Sequence, residues 1–316
     1  MVKTSKKKNK TTVKIKNNVK MKKLSNSHFK QKHCSPKKDK LSFSCLSHNA
    51  LVKIGAALNK LDGIDFNYKG VSDKKLHDTI SNVMETKFNC KSEACWLNIR
   101  SLMNSLSRKD VEYFKRHFRP HMPDEIVDDY TKWISNYDIE AVLKQHHKEK
   151  PEVYFYGAVP IDFKDCSVSS DLCKIDIKKH IDKNENKLAI VFNTDDSDGP
   201  GKHWNAMYVD LKGKNLHSQP GIYFFDSFAA KPMDQVKELI ETIKEQGSNL
   251  GIDFIVSIND KPFQKNNFSC GFYSMHFLEN MIKGVPFEKY VSSGLSDKKM
   301  IDYRNHCYLH PKEIKY

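Results

Sequence analysis

Fifteen lysines and a single acid, Asp39, fall within the first 40 residues, whereas the rest of the chain holds 38 bases and 38 acids. The chain is therefore a neutral body carrying a strongly cationic tail. A segment this charged and this poor in apolar side chains buries too little surface to offset its ordering entropy. Residues 1–45 are expected to be a disordered basic tail. Such a tail attracts nucleic acid, an anionic membrane or acidic protein; it could equally be a solubilising or nuclear-address segment around Lys6, Lys7 and Lys8. Nucleic-acid contact through residues 1–40 stands as an expectation. With five arginines against 48 lysines, bidentate base reading is not suggested.

The body is long enough for one sizeable core, or for a catalytic domain with a helical companion. No apolar run approaches the ~18 residues of a membrane span, and the N-terminus lacks the apolar stretch of a secretory signal. The chain is expected not to be secreted. Its cysteines, at 34, 45, 90, 95, 166, 173, 270 and 307, are scattered, and no disulfide framework is expected. Cys90 and Cys95 have the spacing of half a zinc site, yet no matching pair follows. Neither a metal nor a cofactor is expected.

Between 41 and about 150 the pattern is mostly helical. Ser72 predicts a cap for a helix with Leu76, Ile80, Val83 and Met84 on one stripe. Val111, Phe114 and Phe118 predict another, stopped by Pro120. Ser135 or Asn136 predicts a third, with Ile139, Val142 and Leu143 inward. From about 151 short apolar strands dominate: Val153–Tyr156, Leu188–Phe192, Trp204–Val209, Ile222–Phe225 and Phe254–Ile258. Helical patterns follow at Met233–Gln246 and Cys270–Ile282. This order indicates an α+β or mixed α/β domain. The loop Asp195–Lys202 (DDSDGPGK) is turn-rich and lacks phosphate-loop spacing.

Three residues in that domain could do chemistry together. Cys270 falls at the first turn of a helix whose stripe Tyr273, Phe277 and Met281 is core-like. There, free N–H groups and the helix dipole favour thiolate, and Gly271 would leave room beside the sulfur. His203 opens a strand directly after the flexible loop, where it would be both held and accessible. Asp226 ends the strand GIYFFDS. If the two strands are neighbours, Asp226 could accept the Nδ1–H of His203. Gln264, six residues before Cys270, could donate to an oxyanion together with the Cys270 N–H. Singly, each is matched by a bland reading: a core cysteine, a packed histidine, a turn aspartate, a loop glutamine.

Jointly, HW at 203–204, FFDS at 224–227 and QKNNFSCG at 264–271 resemble the adenain and ubiquitin-like-protein protease clan of cysteine proteases. The order His, Asp, Cys is that of this clan. GKHWNAMYVD at 201–210, YGAVPIDF at 156–163, KWISNYDIEAVLKQ at 132–145 and NCKSEACW at 89–96 are similar to the cysteine proteases of African swine fever virus and other large DNA viruses. That type carries Asn where this chain has Asp226; Asp is the commoner choice in the clan. The likeness covers 125–316 well and 70–124 loosely. It implies an adenain-like α+β fold, with a central mixed sheet, the nucleophile at the N-terminus of a buried helix, and an N-terminal helical arm. The implied organisation is 1–45 tail, 46–124 arm, 125–316 catalytic domain. The implied activity is a thiol endopeptidase with His203, Asp226, Cys270 and Gln264 catalytic. Trp204, Gly271 and Trp133 would bind substrate, with Trp204 walling a groove narrow enough to admit only Gly-Gly or Gly-x-Gly. The implied substrates are viral structural polyproteins, and the implied locations are virion and host cytoplasm. The same triad would serve a deubiquitinase or deSUMOylase acting on a ubiquitin-like precursor, or an acyltransferase. A non-enzymatic nucleic-acid-binding protein is the reading from another class.

Overall fold

The computed structural model describes residues 33–36, 40–213 and 219–311. Most of the expected tail, residues 1–32 and 37–39, lies outside them. The chain divides into two compact units between Phe118 and Arg119, a few residues before the expected boundary at 124/125.

The first unit is helical: α1 (His48–Leu58), α2 (Asp73–Phe88), α3 (Glu93–Trp96), α4 (Arg100–Asn104) and α5 (Arg108–Lys115). Ser72 caps α2 by accepting from Lys75 N–H, and Leu76, Ile80, Val83 and Met84 are its buried stripe. Helix α5 stops three residues short of Phe118, which instead bridges to Cys34. The last residues of the expected tail thus belong to this unit.

Three cysteine pairs are bonded, which corrects the expectation of unpaired thiols: Cys34–Cys45, Cys90–Cys95 and Cys166–Cys173. The partners are 11, 5 and 7 residues apart in sequence. Local loops bring them together, a proximity that does not depend on a framework spanning the fold. Cys90 and Cys95 bond to each other, so the half-zinc-site reading loses its ligands. Cys270 and Cys307 remain free.

The second unit is built on a five-stranded mixed sheet in the order β1 (Val153–Val159), β2 (Lys187–Asn193), β3 (Trp204–Asp210), β4 (Gly221–Phe225), β5 (Ile255–Ile258). The outer pairs β1–β2 and β4–β5 are parallel and the inner pairs antiparallel. Its helices are α6 (Asp124–Asp128), α7 (Asn136–Glu149), α8 (Ile177–Asp182), α9 (Asp234–Asn249), α10 (Cys270–Ile282), α11 (Phe287–Val291) and α12 (Asp297–Cys307). Helix α7 starts with a capping box in which Ser135 and Asp138 satisfy each other's backbone N–H groups.

Every residue of β3 is buried because both faces of the sheet are covered. On one face Trp204, Ala206 and Tyr208 pack with Phe272, Met275 and Leu278 of α10. On the other, Met207 and Val209 pack with Val236, Ile240 and Ile243 of α9. Alternation therefore sorts β3 between two cores rather than between core and water. Helix α10 is buried on all but His276 and Asn280, so the nucleophile candidate starts the most enclosed helix of the unit.

Candidate active site

His203 directly precedes β3 and is fixed by the loop before it. Its carbonyl accepts from Thr194 N–H at 2.9 Å. The loop is organised around Asp195, 6% exposed, which accepts from Gly201 N–H at 3.1 Å and Lys202 Nζ at 2.5 Å. A Cβ on Gly199 would stand 2.5 Å from the Asp195 carboxylate, so glycine is required for this close approach. The apparently loose DDSDGPGK segment is thus a wired support for His203.

Strands β3 and β4 are neighbours, and Ala206 pairs with Phe225. Continuing that register puts Asp226 level with Asn205, two residues inward of His203, so the imidazole must lean across to reach it. The far ring nitrogen does so: His203 Nε2 lies 2.8 Å from Asp226 Oδ2. This corrects the expected Nδ1 contact. The Cys270 sulfur is the other group acting on this imidazole, and Nδ1 is the ring nitrogen that Asp226 leaves to it. Burial disfavours the imidazolium, but the hydrogen bonds to Asp226 and Cys270 and their charges outweigh it, pushing His203 up to about 9. Asp226 is 1% exposed, and its other oxygen accepts from Phe228 N–H at 2.8 Å. Sequence reasoning overlooked Phe228, whose ring packs 5.2 Å from that of His203.

Cys270 is the first residue of α10, and Ser269 makes no side-chain cap there. The Ser269 hydroxyl is instead engaged by Asn266 Nδ2 at 2.9 Å. The positive end of the helix is thus left facing the sulfur, where it favours negative charge. Gln264 is held by Ser227 Oγ–H donating to its Oε1 at 2.6 Å, while its Nε2 donates to the Asn266 carbonyl at 2.8 Å. The same Nε2 also lies 3.4 Å from Asn266 Oδ1, so an oxyanion would draw on the amide hydrogen that makes the longer of these two contacts.

Trp133 and Trp204 stand on one groove of about 680 Å3, shared with Ala158, Pro160 and Pro200. Trp204 Nε1 donates to Ile134 O at 3.1 Å, and Trp133 Nε1 to Asn267 O at 2.7 Å. Both indoles are therefore locked as walls. Gly271 plays another part than expected: the space beside it is filled by Ile134 and Trp204, so its missing side chain serves packing rather than substrate access. Chemically, the arrangement can hold a thiolate beside an imidazolium and can supply donors to a developing oxyanion.

Residues 173–315 match the Ulp1 protease family, C-terminal catalytic domain. A mimivirus chain (Acanthamoeba polyphaga mimivirus) assigned as a thiol protease is 30% identical over 86% of this chain and 91% of its own length. A cysteine protease of African swine fever virus is 23% identical over 74% of this chain and 89% of its own. The crystal structure of the African swine fever virus protease superposes with a TM-score of 0.60 at 19% identity, covering 79% of this chain and 94% of that one. Among the described residues no helix is long and apolar enough to cross a membrane. The chain belongs to the Ulp1 protease family and is a cysteine protease acting on protein substrates.

Proposed function

We propose that Cys270 is the nucleophile, His203 its base, Asp226 the group that orients the base, and Gln264 an oxyanion donor. The observation that carries this reading is the His203–Asp226 pair at 2.8 Å, on an imidazole whose charge the Cys270 sulfur at the start of α10 also favours. The Cys270 thiolate attacks the scissile carbonyl. Gln264 Nε2–H and Cys270 N–H hold the tetrahedral oxygen. His203 gives its proton to the leaving amine, then takes one from the water that releases the acyl-enzyme.

The substrate reading is an endopeptidase cutting after Gly-Gly or Gly-x-Gly. Its support is the resemblance to a clan whose members cut after small residues, together with the two fixed indoles that wall the groove. The likeness to thiol and cysteine proteases of large DNA viruses motivates reading its role as the processing of structural polyproteins during virion maturation; the virion and the host cytoplasm are where that role would be carried out. The lysine-rich segment 1–40 would tether the enzyme to packaged nucleic acid by counterion release.

The test compares wild type with Cys270→Ala on a Gly-Gly precursor peptide and on ubiquitin-like conjugates. Cleavage of the peptide by wild type alone is expected. Equal cleavage by both proteins would overturn the catalytic reading. Cleavage of the conjugates alone would replace the endopeptidase by an isopeptidase.

A further inference from the structure

Asn259 follows β5 directly, and it is 2% exposed. Its side chain grips the backbone of Asp226 at both ends. Oδ1 accepts from Asp226 N–H at 2.9 Å, and Nδ2 donates to Asp226 O at 2.8 Å. The second Nδ2 hydrogen reaches Lys261 O at 3.2 Å. Every hydrogen-bonding hydrogen of the amide is thereby used.

The location gives this clamp its meaning. Strands β4 and β5 pair in parallel, the last matched residues being Phe224 and Ile258. Asp226 lies beyond that register, where the ladder has ended and the backbone would otherwise be free to turn. The Asn259 amide takes the place of the next ladder bonds. It holds the Asp226 peptide while the carboxylate splits its two oxygens between His203 Nε2 and Phe228 N–H. A carboxylate fixed through its own backbone has little rotational freedom to lose as the imidazolium forms. An orienting group misplaced by about 1 Å can cost on the order of 10²-fold in rate.

We infer that Asn259 is a positioning residue of the catalytic site, acting through Asp226 to hold the His203 imidazole at the nitrogen and angle that serve Cys270. The inference rests on the catalytic reading of His203, Asp226 and Cys270 given above.

The experiment is a pH–rate profile of full-length Asn259→Ala and Asn259→Ser on the Gly-Gly peptide, each also in an Asp226→Asn background. The expected result is a fall in kcat of about 10–100-fold with KM little changed. The alkaline limb should move to lower pH, less in N259S than in N259A. Both effects should largely vanish in the Asp226→Asn background, because residues that act as one unit are not additive. A wild-type alkaline limb in N259A and N259S would overturn the inference, as would an unchanged loss of kcat in the Asp226→Asn background. If N259A does not fold, N259S carries the same readings. Should Cys270→Ala prove as active as wild type, the catalytic reading itself fails. An inactive Cys270→Ala beside an unaltered N259A profile removes only the role of Asn259.

Discussion

A Cβ placed on Gly271 would lie 2.7 Å from both Cδ1 and Cγ1 of Ile134. The residue after the nucleophile candidate is therefore the contact at which α10 meets the segment bearing Trp133. An alanine there has to push back a buried branched side chain, together with Trp204 Cδ1 at 3.3 Å. Gly271→Ala should lower stability by about 1–3 kcal/mol, the usual cost of overpacking, and raise KM because Trp204 walls the groove. Adding Ile134→Val should recover part of both. Urea midpoints and steady-state kinetics on the two variants read this; a Gly271→Ala protein as stable as wild type would refute the packing account.

His203 is raised to about 9 from an ordinary 6.5. Burial opposes the charge, while Asp226 and Cys270 favour it. A thiolate–imidazolium pair is lost as the imidazolium deprotonates, so kcat/KM should fall on an alkaline limb near pH 9. Asp226→Asn removes the principal favourable partner and should move that limb to lower pH. The sign for stability is the same. The raised group contributes fully below about 6.5, and its contribution is lost as pH rises through about 9. Asp226→Ala should cost less turnover than His203→Ala, as an orienting acid does relative to the base it orients. The opposite order would mean that another acid serves the histidine.

Much of this was legible in the chain, and for physical reasons. Strands β2 and β3 and helix α10 were readable because apolar runs bounded by loop residues leave little choice of element. The order His, Asp, Cys was readable because it is a property of sequence. What depends on placement in space was not. The ring nitrogen facing Asp226 follows from the register of β3 on β4, which no local pattern states. Gly271 looked like space for substrate until Ile134 was found to fill it. Helix α1 was not foreseen; its Gly55 stands mid-helix, where a Cβ would meet Tyr68 Cβ at 2.7 Å. The cysteine pairs were missed because scattered positions were read against a whole-fold framework, whereas each bond closes a short local loop.

Glu279, 1% exposed on α10, faces three basic side chains. Arg119 Nη1 lies at 3.5 Å, His146 Nε2 at 3.1 Å and Lys283 Nζ at 3.2 Å. The His146 contact has ion-pair distance without full hydrogen-bond alignment. Burial raises the carboxyl, but His146, Arg119 and Lys283 outweigh it and hold Glu279 well below the usual range. Glu279→Ala leaves buried Arg119 without its counter-charge and should cost about 3–5 kcal/mol. A depressed carboxyl stabilises above its unfolded pKa, and the effect is lost as pH falls through the folded one. The gap in urea midpoint between wild type and Glu279→Gln should therefore narrow as the pH is lowered below 4.5. A gap independent of pH would show that Glu279 is not ionised in the fold.

The free thiols differ in a way that labelling can read. Cys307 is fully buried, and burial followed by the Glu279 charge pushes its thiol far up, more than the Tyr303 hydrogen bond lowers it. It is therefore a poor nucleophile in the folded chain. Cys270 stands at the start of α10 near a histidine that carries its proton to about pH 9, so positive charge faces its sulfur. Iodoacetamide at pH 7 should modify one residue of the native protein, and Cys270→Ala should abolish that labelling. His203→Ala should slow it most at acidic pH, where an unassisted thiol is protonated. Denatured without reductant, the chain should titrate two thiols, and after reduction all eight. Native labelling that survives Cys270→Ala would assign the reactive sulfur elsewhere. More than two thiols in the unreduced, denatured chain would mean that at least one of the three cysteine pairs is open in solution.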